Sequence, residues 1–267
     1  MNLENILNEV TKIAKTSGNL IRERFDLKEK FVFEEKGIND YVTEFDKQSE
    51  KLIIEELSTL LPEAGFIAEE NTKNTRSEIY NWIVDPLDGT TNFMHGIFPV
   101  AISIALMKEN EIVLGVVYEV GLDECFTAIK DKGAFLNGKR IQVSDNDSLK
   151  KSLIATGFPF RNFTLLEPYL NILGELTGKT RGIRRLGSAA TDLAYVACGR
   201  FDAFYEYDLK PWDVAAGTLI ISEAGGKNTD FNGQNNFIFG QQIISSNNKI
   251  HNLLINIVKK HLKKTRF

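Results

Sequence analysis

Two aspartates follow an apolar run in residues 82–92, whose sequence reads WIVDPLDGTTN. The apolar residues are typical of the end of a buried strand, so Asp85 is predicted to leave that strand at its tip. Pro86 fixes a bend that brings Asp88 back towards Asp85. Two converging carboxylates suit Mg2+, which takes hard oxygen ligands and keeps positions for water and phosphate. The plainer interpretation is an acidic surface turn, but the flanking residues make it less favourable.

The residues after this aspartate pair have the character of a phosphate-binding turn. Gly89 allows the backbone to approach a ligand closely. Thr90 and Thr91 are suited to begin a helical turn whose free N–H groups face an anion. Metal ligands and a phosphate site are therefore predicted side by side.

Three further acidic residues lie at the ends of predicted elements. Glu69 follows a short apolar run that we interpret as a strand. Asp213 lies where a helix begins, and Asp46 lies in the first turn of another helix. Each has a plainer interpretation: a solvated acid, a helix N-cap and a residue that complements the helix dipole, respectively. Together with the aspartate pair they would form walls of one carboxylate site.

The elements that must position these residues fall into two halves. The first half reads as two helices, at about 3–25 and 44–60, followed by strands that form an antiparallel meander. The second half alternates strands and helices, which indicates α/β layering. Polar residues 144–151 mark the predicted boundary between an N-terminal α+β domain, 1–147, and a C-terminal α/β domain, 148–267. The first would carry most metal ligands, and the second Asp213 and the substrate-side residues.

Composition and charge exclude several classes of protein. The 267 residues carry a formal net charge of -4, with 43% apolar and 25% charged residues, which is ordinary for a soluble folded protein. Without a basic field, no nucleic-acid partner is expected. No apolar run is long enough to cross a bilayer, so no membrane partner is expected. Charged residues within the first apolar stripe indicate a helix rather than a signal peptide, and we expect a cytoplasmic location.

The cysteines and histidines offer no motif for a covalent phosphoenzyme. Cys125 falls in a predicted strand and Cys198 in an apolar helix, and neither has a cysteine or histidine at zinc spacing. Both are predicted to be buried small apolar residues in a reducing compartment. His95 lies near the threonine pair and is interpreted as a lining residue. Direct attack by water is therefore the predicted chemistry.

Two sequence motifs resemble the signatures of the inositol monophosphatase family. DPLDGTTN stands at 85–92 and WDVAAG at 212–217. Shorter matches cover most of the remaining chain: VT at 42–43 with Asp46, AEE at 68–70, GSAA at 187–190, and Glu206 seven residues before Asp213. The resemblance implies a layered α-β-α-β-α sandwich of the α+β / α/β class, a homodimer, and a Mg2+-dependent, lithium-sensitive phosphatase.

The resemblance also implies a metal site. Glu69, Asp85 and the carbonyl oxygen of Leu87 would hold a first Mg2+. Asp85, Asp88 and Asp213 would hold a second, and Glu69 would reach a third and looser ion. Two or three ions are therefore expected, with Mn2+ as a possible substitute.

Catalytic and substrate roles follow from the same resemblance. Thr90, beside Asp46, would orient and deprotonate the attacking water, and Glu69 would act with them. The amides of Gly89 and Thr90 would hold the phosphate. The implied substrate-binding set is Asp88, Gly89, Thr90, Gly187, Ser188, Ala189, Glu206 and Asp213. Without the resemblance, Glu206 reads equally well as a charged residue in an aromatic surface strand.

The expected function is hydrolysis of inositol monophosphate to inositol and phosphate by an inositol-phosphate phosphatase. The alternatives on the same fold are an NADP(H) phosphatase, a fructose-1,6-bisphosphatase and a 3',5'-bisphosphate nucleotidase. Arg184, Arg185 and Lys210 lie beside site segments, where they would either pair with a second phosphate or, as we slightly prefer, be solvated. An alternative of another class is a non-catalytic Mg2+- or phosphate-binding regulator, against which the intact carboxylate set argues.

Overall fold

The computed structural model describes residues 2–27, 33–37, 40–70, 72–159 and 161–262, with the side chains of 26–27, 33–37 and 40–43 left undescribed. Its helices are α1 Leu3–Leu27, α2 Glu44–Leu60, α3 Thr90–Met94, α4 Leu166–Thr177, α5 Ala189–Ala197, α6 Pro211–Glu223 and α7 His251–Leu262. Its strands are β1 Phe33–Gly37, β2 Asp40–Thr43, β3 Gly65–Ala68, β4 Tyr80–Asp88, β5 Ala101–Lys108, β6 Glu111–Glu119, β7 Glu124–Ile129, β8 Gly133–Leu136, β9 Lys139–Ile141, β10 Leu153–Thr156, β11 Gly182–Arg184, β12 Ala203–Tyr207, β13 Lys227–Thr229 and β14 Gln242–Ser246.

The first large sheet has seven strands in the order β3-β4-β5-β6-β7-β8-β9. β3 and β4 are parallel, and the remaining neighbours are antiparallel, which is the predicted meander. Contrary to the prediction, β4 does not end before Asp85. Asp85 pairs with Ser103 and Asp88 pairs with Ala101, and a shift of register between the two pairs marks a bulge. Such a bulge turns side chains out of the regular alternation.

The second large sheet has five strands in the order β11-β10-β12-β14-β13. β10 runs parallel to both β11 and β12, and β14 runs antiparallel to β12 and β13. Successive residues of β12 face opposite sides of this sheet. Phe204 packs with α5 and α6, whereas Tyr205 packs with α4 and α7. Glu206 is therefore on the same face as Phe204.

Helices and sheets alternate in layers. α1 and α2 pack on the outer face of the seven-stranded sheet, and α4 and α7 pack on the outer face of the five-stranded sheet. α5 and α6 lie between the two sheets and share one core with both. Residues 214–221 of α6 are all buried, as expected of a helix covered on every side. The predicted α-β-α-β-α sandwich is confirmed.

The sequence analysis missed some elements and misplaced the ends of others. The β1–β2 hairpin lies where only a charged stretch was predicted, because its residues alternate too weakly to indicate a strand. Helix α6 begins at Pro211, so the predicted start beyond Asp213 was wrong. The sequence also predicts Thr43 as the N-cap of α2, with Asp46 at the third helical position, but the side chain of Thr43 lies outside the described ones. Among the described residues, no helix combines the length and apolar character needed to span a bilayer.

Candidate active site

A cleft of about 450 Å3 brings together predicted residues from separate parts of the chain. It lies where the end of β4 meets the N-terminal ends of α3, α5 and α6. The predicted site residues that line it are Glu69, Asp85, Leu87, Asp88, Gly89, Thr90, Gly187, Ser188, Ala189, Glu206 and Asp213. Asp46 stands behind this lining and contacts Thr90.

The bulge at the end of β4 shapes one wall of the cleft. The Leu87 N–H donates to Asp85 Oδ1 at 3.0 Å, which folds the aspartate back along its own chain. From α2, the Ser49 hydroxyl donates to the Pro86 carbonyl oxygen at 2.9 Å and fixes the bend. Asp85 is only 1% exposed. The strand thus presents two aspartates to one cleft without ending at the first.

Glu69, just beyond the end of β3, and Asp85, within the neighbouring parallel strand β4, form a hydrogen-bonded pair of acids. Burial raises the pKa of Glu69 well above its usual value, and the charge of Asp213 raises it further. Burial also raises the pKa of Asp85, followed by the charge of Glu69. Two carboxylates share a hydrogen bond only when one of them carries a proton. In the absence of a cation, a proton therefore joins this pair.

Asp88 and Asp213 face each other across the cleft, and protein donors hold both. Asp88 Oδ2 accepts from Ser188 Oγ at 2.6 Å and from the Ala190 N–H at 2.7 Å, at the start of α5. Asp213 Oδ2 accepts from the Lys210 N–H at 2.7 Å, so Asp213 is the third helical residue and not the N-cap. Burial raises the pKa of Asp88 to about 6. Burial and the charge of Asp88 raise the pKa of Asp213 to about 7.

Thr90 and Asp46 form the predicted pair. Thr90 Oγ1 lies 3.1 Å from Asp46 Oδ1 and 3.2 Å from the Leu87 carbonyl oxygen, and its single hydroxyl proton is donated to one of these acceptors or shared between them. Asp46 is fully buried. Gly89 adopts a φ of 97° as the N-cap of α3, a left-handed conformation that glycine adopts without strain. A side chain there would also meet the Pro99 carbonyl oxygen at 3.0 Å.

The other end of the cleft is formed by Glu206 and its neighbours. Glu206 is 8% exposed, so its interpretation as a surface residue is wrong. A Cβ atom at Gly157 would lie 1.9 Å from Glu206 Oε1, so the carboxyl group occupies the space of the missing side chain. Arg185 reaches the cleft, where its charge lowers the pKa of Glu206 against the dominant effect of burial, which raises it.

Some residues at the cleft were not predicted from their sequence context. Asp192 and Arg161 line the cleft, and Asn92 Nδ2 donates to the carbonyl oxygens of Pro99 and Leu186 at 2.8 Å each. Asn92 thereby ties the DPLDGTTN segment to the loop before α5. Because Asn92 is the last residue of the DPLDGTTN segment, the sequence did offer a signal that it belongs to the site. The sequence offered no such signal for Asp192, because an acidic residue in the first turn of a helix is usually explained by its favourable interaction with the helix dipole.

The remaining predicted residues have mixed outcomes. His95 lines the cleft, as predicted. Arg184 is exposed, and its Nη1 donates to the adjacent Ile183 carbonyl oxygen. Lys210 is the N-cap of α6. Cys125 is buried, but Cys198 is only half-buried at the end of α5, contrary to the prediction.

The carboxylates of the cleft are of the chemical type that Mg2+ prefers, but they are not arranged as a complete coordination site. The donors are hard oxygens, and burial together with repulsion between the acids raises their pKa values, two effects that a divalent cation would offset. Yet no group of three or more acidic, histidine or cysteine side chains among the described residues is already arranged to hold an ion. The four predicted acids nevertheless line the same cleft, and their role as metal ligands stays a prediction. A cation would replace the proton shared by Glu69 and Asp85.

Comparison with known proteins settles the family. The profile of the inositol monophosphatase family matches residues 2–263. The chain belongs to the inositol monophosphatase family. It is 41% identical over 256 residues to the inositol-1-monophosphatase of Rhizobium meliloti, covering 96% of each chain. It is 40% identical over 265 residues to the Nus factor SuhB of Pseudomonas aeruginosa, covering 97% of this chain and 98% of the relative.

A solved structure agrees with this assignment. The inositol monophosphatase of Thermotoga maritima superposes with a TM-score of 0.89 at 35% identity, covering 97% of this chain and 99% of the other. Membership in the inositol monophosphatase family supports a phosphatase of this superfamily, whose members are generally Mg2+-dependent.

Proposed function

We propose that the protein is a Mg2+-dependent phosphomonoesterase that hydrolyses inositol monophosphate to inositol and inorganic phosphate. The observation that carries this proposal is the meeting of Glu69, Asp85, Asp88 and Asp213, from distant parts of the chain, in one cleft beside the hydrogen-bonded Thr90–Asp46 pair. Acidic residues buried together at such a cost are typical of functional sites.

The proposed metal ligands are Glu69, Asp85, the Leu87 carbonyl oxygen, Asp88 and Asp213. When bound, Mg2+ would lower the pKa of the attacking water and stabilise the leaving oxygen. The hydrogen bonds from Ser188 and Ala190 both go to Oδ2 of Asp88. The Lys210 N–H occupies only Oδ2 of Asp213.

The chain's own groups supply proton transfer and orientation. Thr90 Oγ1 has one proton to donate, and Asp46 Oδ1 is its nearer acceptor, so the lone pairs of Oγ1 can accept a hydrogen bond from the attacking water. As the water oxygen bonds to phosphorus and the ester P–O bond breaks, a proton of that water passes to Thr90 and the proton of Thr90 passes to Asp46, while a solvent water gives a proton to the leaving alkoxide. We assign phosphate binding to the amides of Gly89 and Thr90, and contact with the alcohol half to Gly187, Ser188, Ala189 and Glu206.

Two observations bear on the alternative substrates. Arg161 and Arg185 line the cleft and offer positive charge for a second phosphate, as in NADP or a bisphosphate. Asp192 and Glu206 at the same end add negative charge, which favours hydroxyl groups there. We therefore place inositol monophosphate first and the bisphosphates second.

Relatives named Nus factor SuhB raise a role of another class, for which the cleft gives no structural reason. The non-catalytic regulator remains the corresponding alternative. The hydrogen-bonded Thr90–Asp46 pair beside the full set of site acids favours the enzyme, since binding of Mg2+ or phosphate alone requires no pair that moves a proton.

The test is release of inorganic phosphate from inositol 1-phosphate, with Mg2+ and with a chelator. A parallel panel contains NADP, fructose 1,6-bisphosphate and 3'-phosphoadenosine 5'-phosphate. The proposal expects the highest kcat/KM for inositol 1-phosphate, and no turnover without a divalent ion. A higher kcat/KM for a bisphosphate would show that the proposed substrate is wrong. Binding of the substrate without turnover would favour the non-catalytic regulator.

Further properties belong to the same proposal. We expect two or three Mg2+ ions, replacement by Mn2+, inhibition by lithium, a homodimer and a cytoplasmic location, all from family membership. The apolar residues Ile97, Phe98 and Leu122 are 53%, 46% and 63% exposed and suit a subunit contact. Sedimentation equilibrium tests the dimer, and lithium titration of phosphate release tests inhibition.

A further inference from the structure

Asp192 is a buried acid in the first turn of α5. It is 1% exposed, and its Oδ1 has no hydrogen-bond donor among the described residues. It lines the cleft at the end that also holds Glu206. Buried oxygens in folded proteins are almost always hydrogen-bonded, so each exception needs an explanation.

Other buried acids of this protein show what a structural role looks like. Glu50 accepts two backbone N–H groups, and Glu119 accepts two as well. Asp202 accepts from Ser144 Oγ at 2.5 Å and from the Leu153 N–H at 2.8 Å. Each of these acids stabilises a loop or a strand end. Asp192 accepts no such hydrogen bond from the described residues, so its Oδ1 is available to a donor from a ligand.

The surroundings of Asp192 specify the chemistry of that donor. The negative charges of Glu206 and Asp88 and the positive charge of Arg185 act on it. The negative charges of Glu206 and Asp88 would repel a phosphate group placed next to Asp192. A neutral hydroxyl group donates to a carboxylate without adding negative charge. A polyol with several hydroxyl groups would engage Asp192 and Glu206 together.

We infer that Asp192 is a substrate-binding residue that accepts a hydrogen bond from a hydroxyl group of the alcohol half, beside Glu206, and so selects polyol phosphates. This inference rests on the proposed function and names the feature of the substrate that the cleft selects. In this role, Asp192 Oδ1 accepts its hydrogen bond from the substrate and not from a group that stabilises the fold.

The test compares two substrates that differ in hydroxyl groups. Inositol 1-phosphate carries them, and 4-nitrophenyl phosphate carries none. For Asp192→Ala, the ratio of kcat/KM for inositol 1-phosphate to that for 4-nitrophenyl phosphate is expected to fall about 10- to 100-fold, the usual range for a lost hydrogen bond to a charged group. Asp192→Asn, which keeps an acceptor oxygen, is expected to fall between wild type and the alanine variant. A ratio is used because removal of a negative charge changes phosphate affinity for both substrates alike.

Asp202→Asn is the matched control, because it removes the charge of a buried acid with protein donors. It is expected to lower the melting temperature and to leave the substrate ratio unchanged. Asp192→Ala is expected to keep or raise the melting temperature, since it removes a buried charge without a partner. An Asp192→Ala ratio within twofold of wild type, or a fall in melting temperature with equal loss on both substrates, would overturn the inference.

Calorimetric binding of myo-inositol, in the presence of Mg2+ and phosphate, separates the two proposals. Wild type is expected to bind, and Asp192→Ala to bind at least tenfold more weakly. Binding of myo-inositol without hydrolysis of any phosphate ester would defeat the proposed function and support the role of Asp192. If the wild type hydrolyses inositol 1-phosphate but the wild type and Asp192→Ala bind myo-inositol equally well, the proposed function is supported and the role of Asp192 is overturned.

Discussion

Substitution of Asp88 by asparagine is expected to make the metal-free protein more stable and the enzyme nearly inactive. Burial raises the pKa of Asp88 from its ordinary value of 3.8 to about 6. One pKa unit corresponds to about 1.4 kcal/mol, so the shift corresponds to about 3 kcal/mol. The side chain is half-buried, and we therefore expect about 2 kcal/mol from Asp88→Asn at pH 8. Its amide oxygen can still accept from Ser188 and Ala190.

The pH dependence of this gain has a defined sign. The folded protein binds the Asp88 proton more tightly than the unfolded chain, so the charged carboxylate lowers the free energy of unfolding above pH 6. Below about pH 4 both states hold the proton, and the penalty is absent. The advantage of Asp88→Asn is therefore expected at pH 8 and is expected to vanish towards pH 4. Urea unfolding in a chelator, at both pH values, measures it.

Turnover and metal binding give the complementary result. Loss of one preorganised charge at the site is expected to lower kcat by about 100- to 1,000-fold. Addition of Mg2+ is expected to stabilise wild type strongly and the variant weakly, because bound ligand stabilises only the state that binds it. An Asp88→Asn protein that is less stable than wild type without metal, or that turns over at near the parental rate, would refute the reasoning.

Three further predictions concern residues around the site and the core. Glu50→Gln replaces one of the oxygens that accept from the N–H groups of Glu70, at 2.7 Å, and Thr72, at 2.8 Å. We expect a loss of about 1–3 kcal/mol in unfolding free energy and weaker Mg2+ binding by calorimetry; unchanged values would contradict a positioning role. Gly157→Ala places a Cβ atom 1.9 Å from Glu206 Oε1, so KM for inositol 1-phosphate is expected to rise several-fold, and an unchanged KM would show that Glu206 does not meet substrate. His251, between the hydroxyls of Thr229 and Ser246, has a pKa lowered by burial to about 4. The folded state thus favours neutral His251, and stability is expected to fall by about 3 kcal/mol between pH 7 and pH 4, less so in His251→Gln; equal pH profiles of the two proteins would contradict this.

The motif residues were the most predictable part of the site. Asp85, Asp88 and Thr90 combine chemical type with a local pattern of strand, turn and helix start, and that pattern survives in the structure. The end of β4 was predicted wrongly because a bulge, which keeps Asp85 in the sheet, has no signature in a sequence containing Pro86. Pro211 was an available signal for the start of α6, since proline favours the first helical position.

Residues that depend on contacts between distant segments were beyond prediction. Asp192 resembles any acid near a helix start, and its lack of a partner appears only when α5 packs beside β12. Gly157 has no turn signal, and its lack of a side chain is explained by Glu206. Contacts between segments that are distant in the sequence explain why Asp192 and Gly157 occupy their positions. The positions of Asp85 and Asp88, by contrast, follow from the local sequence pattern.

A crystal structure of the protein soaked in Mn2+, with anomalous scattering to locate the ions, tests the central claim most directly. We expect Mn2+ in the cleft, with oxygens of Glu69, Asp85, Asp88 and Asp213 among its ligands and with the hydrogen bond between Glu69 and Asp85 replaced. The absence of any ion from the cleft, or an ion bound without Glu69 and Asp213, would contradict it.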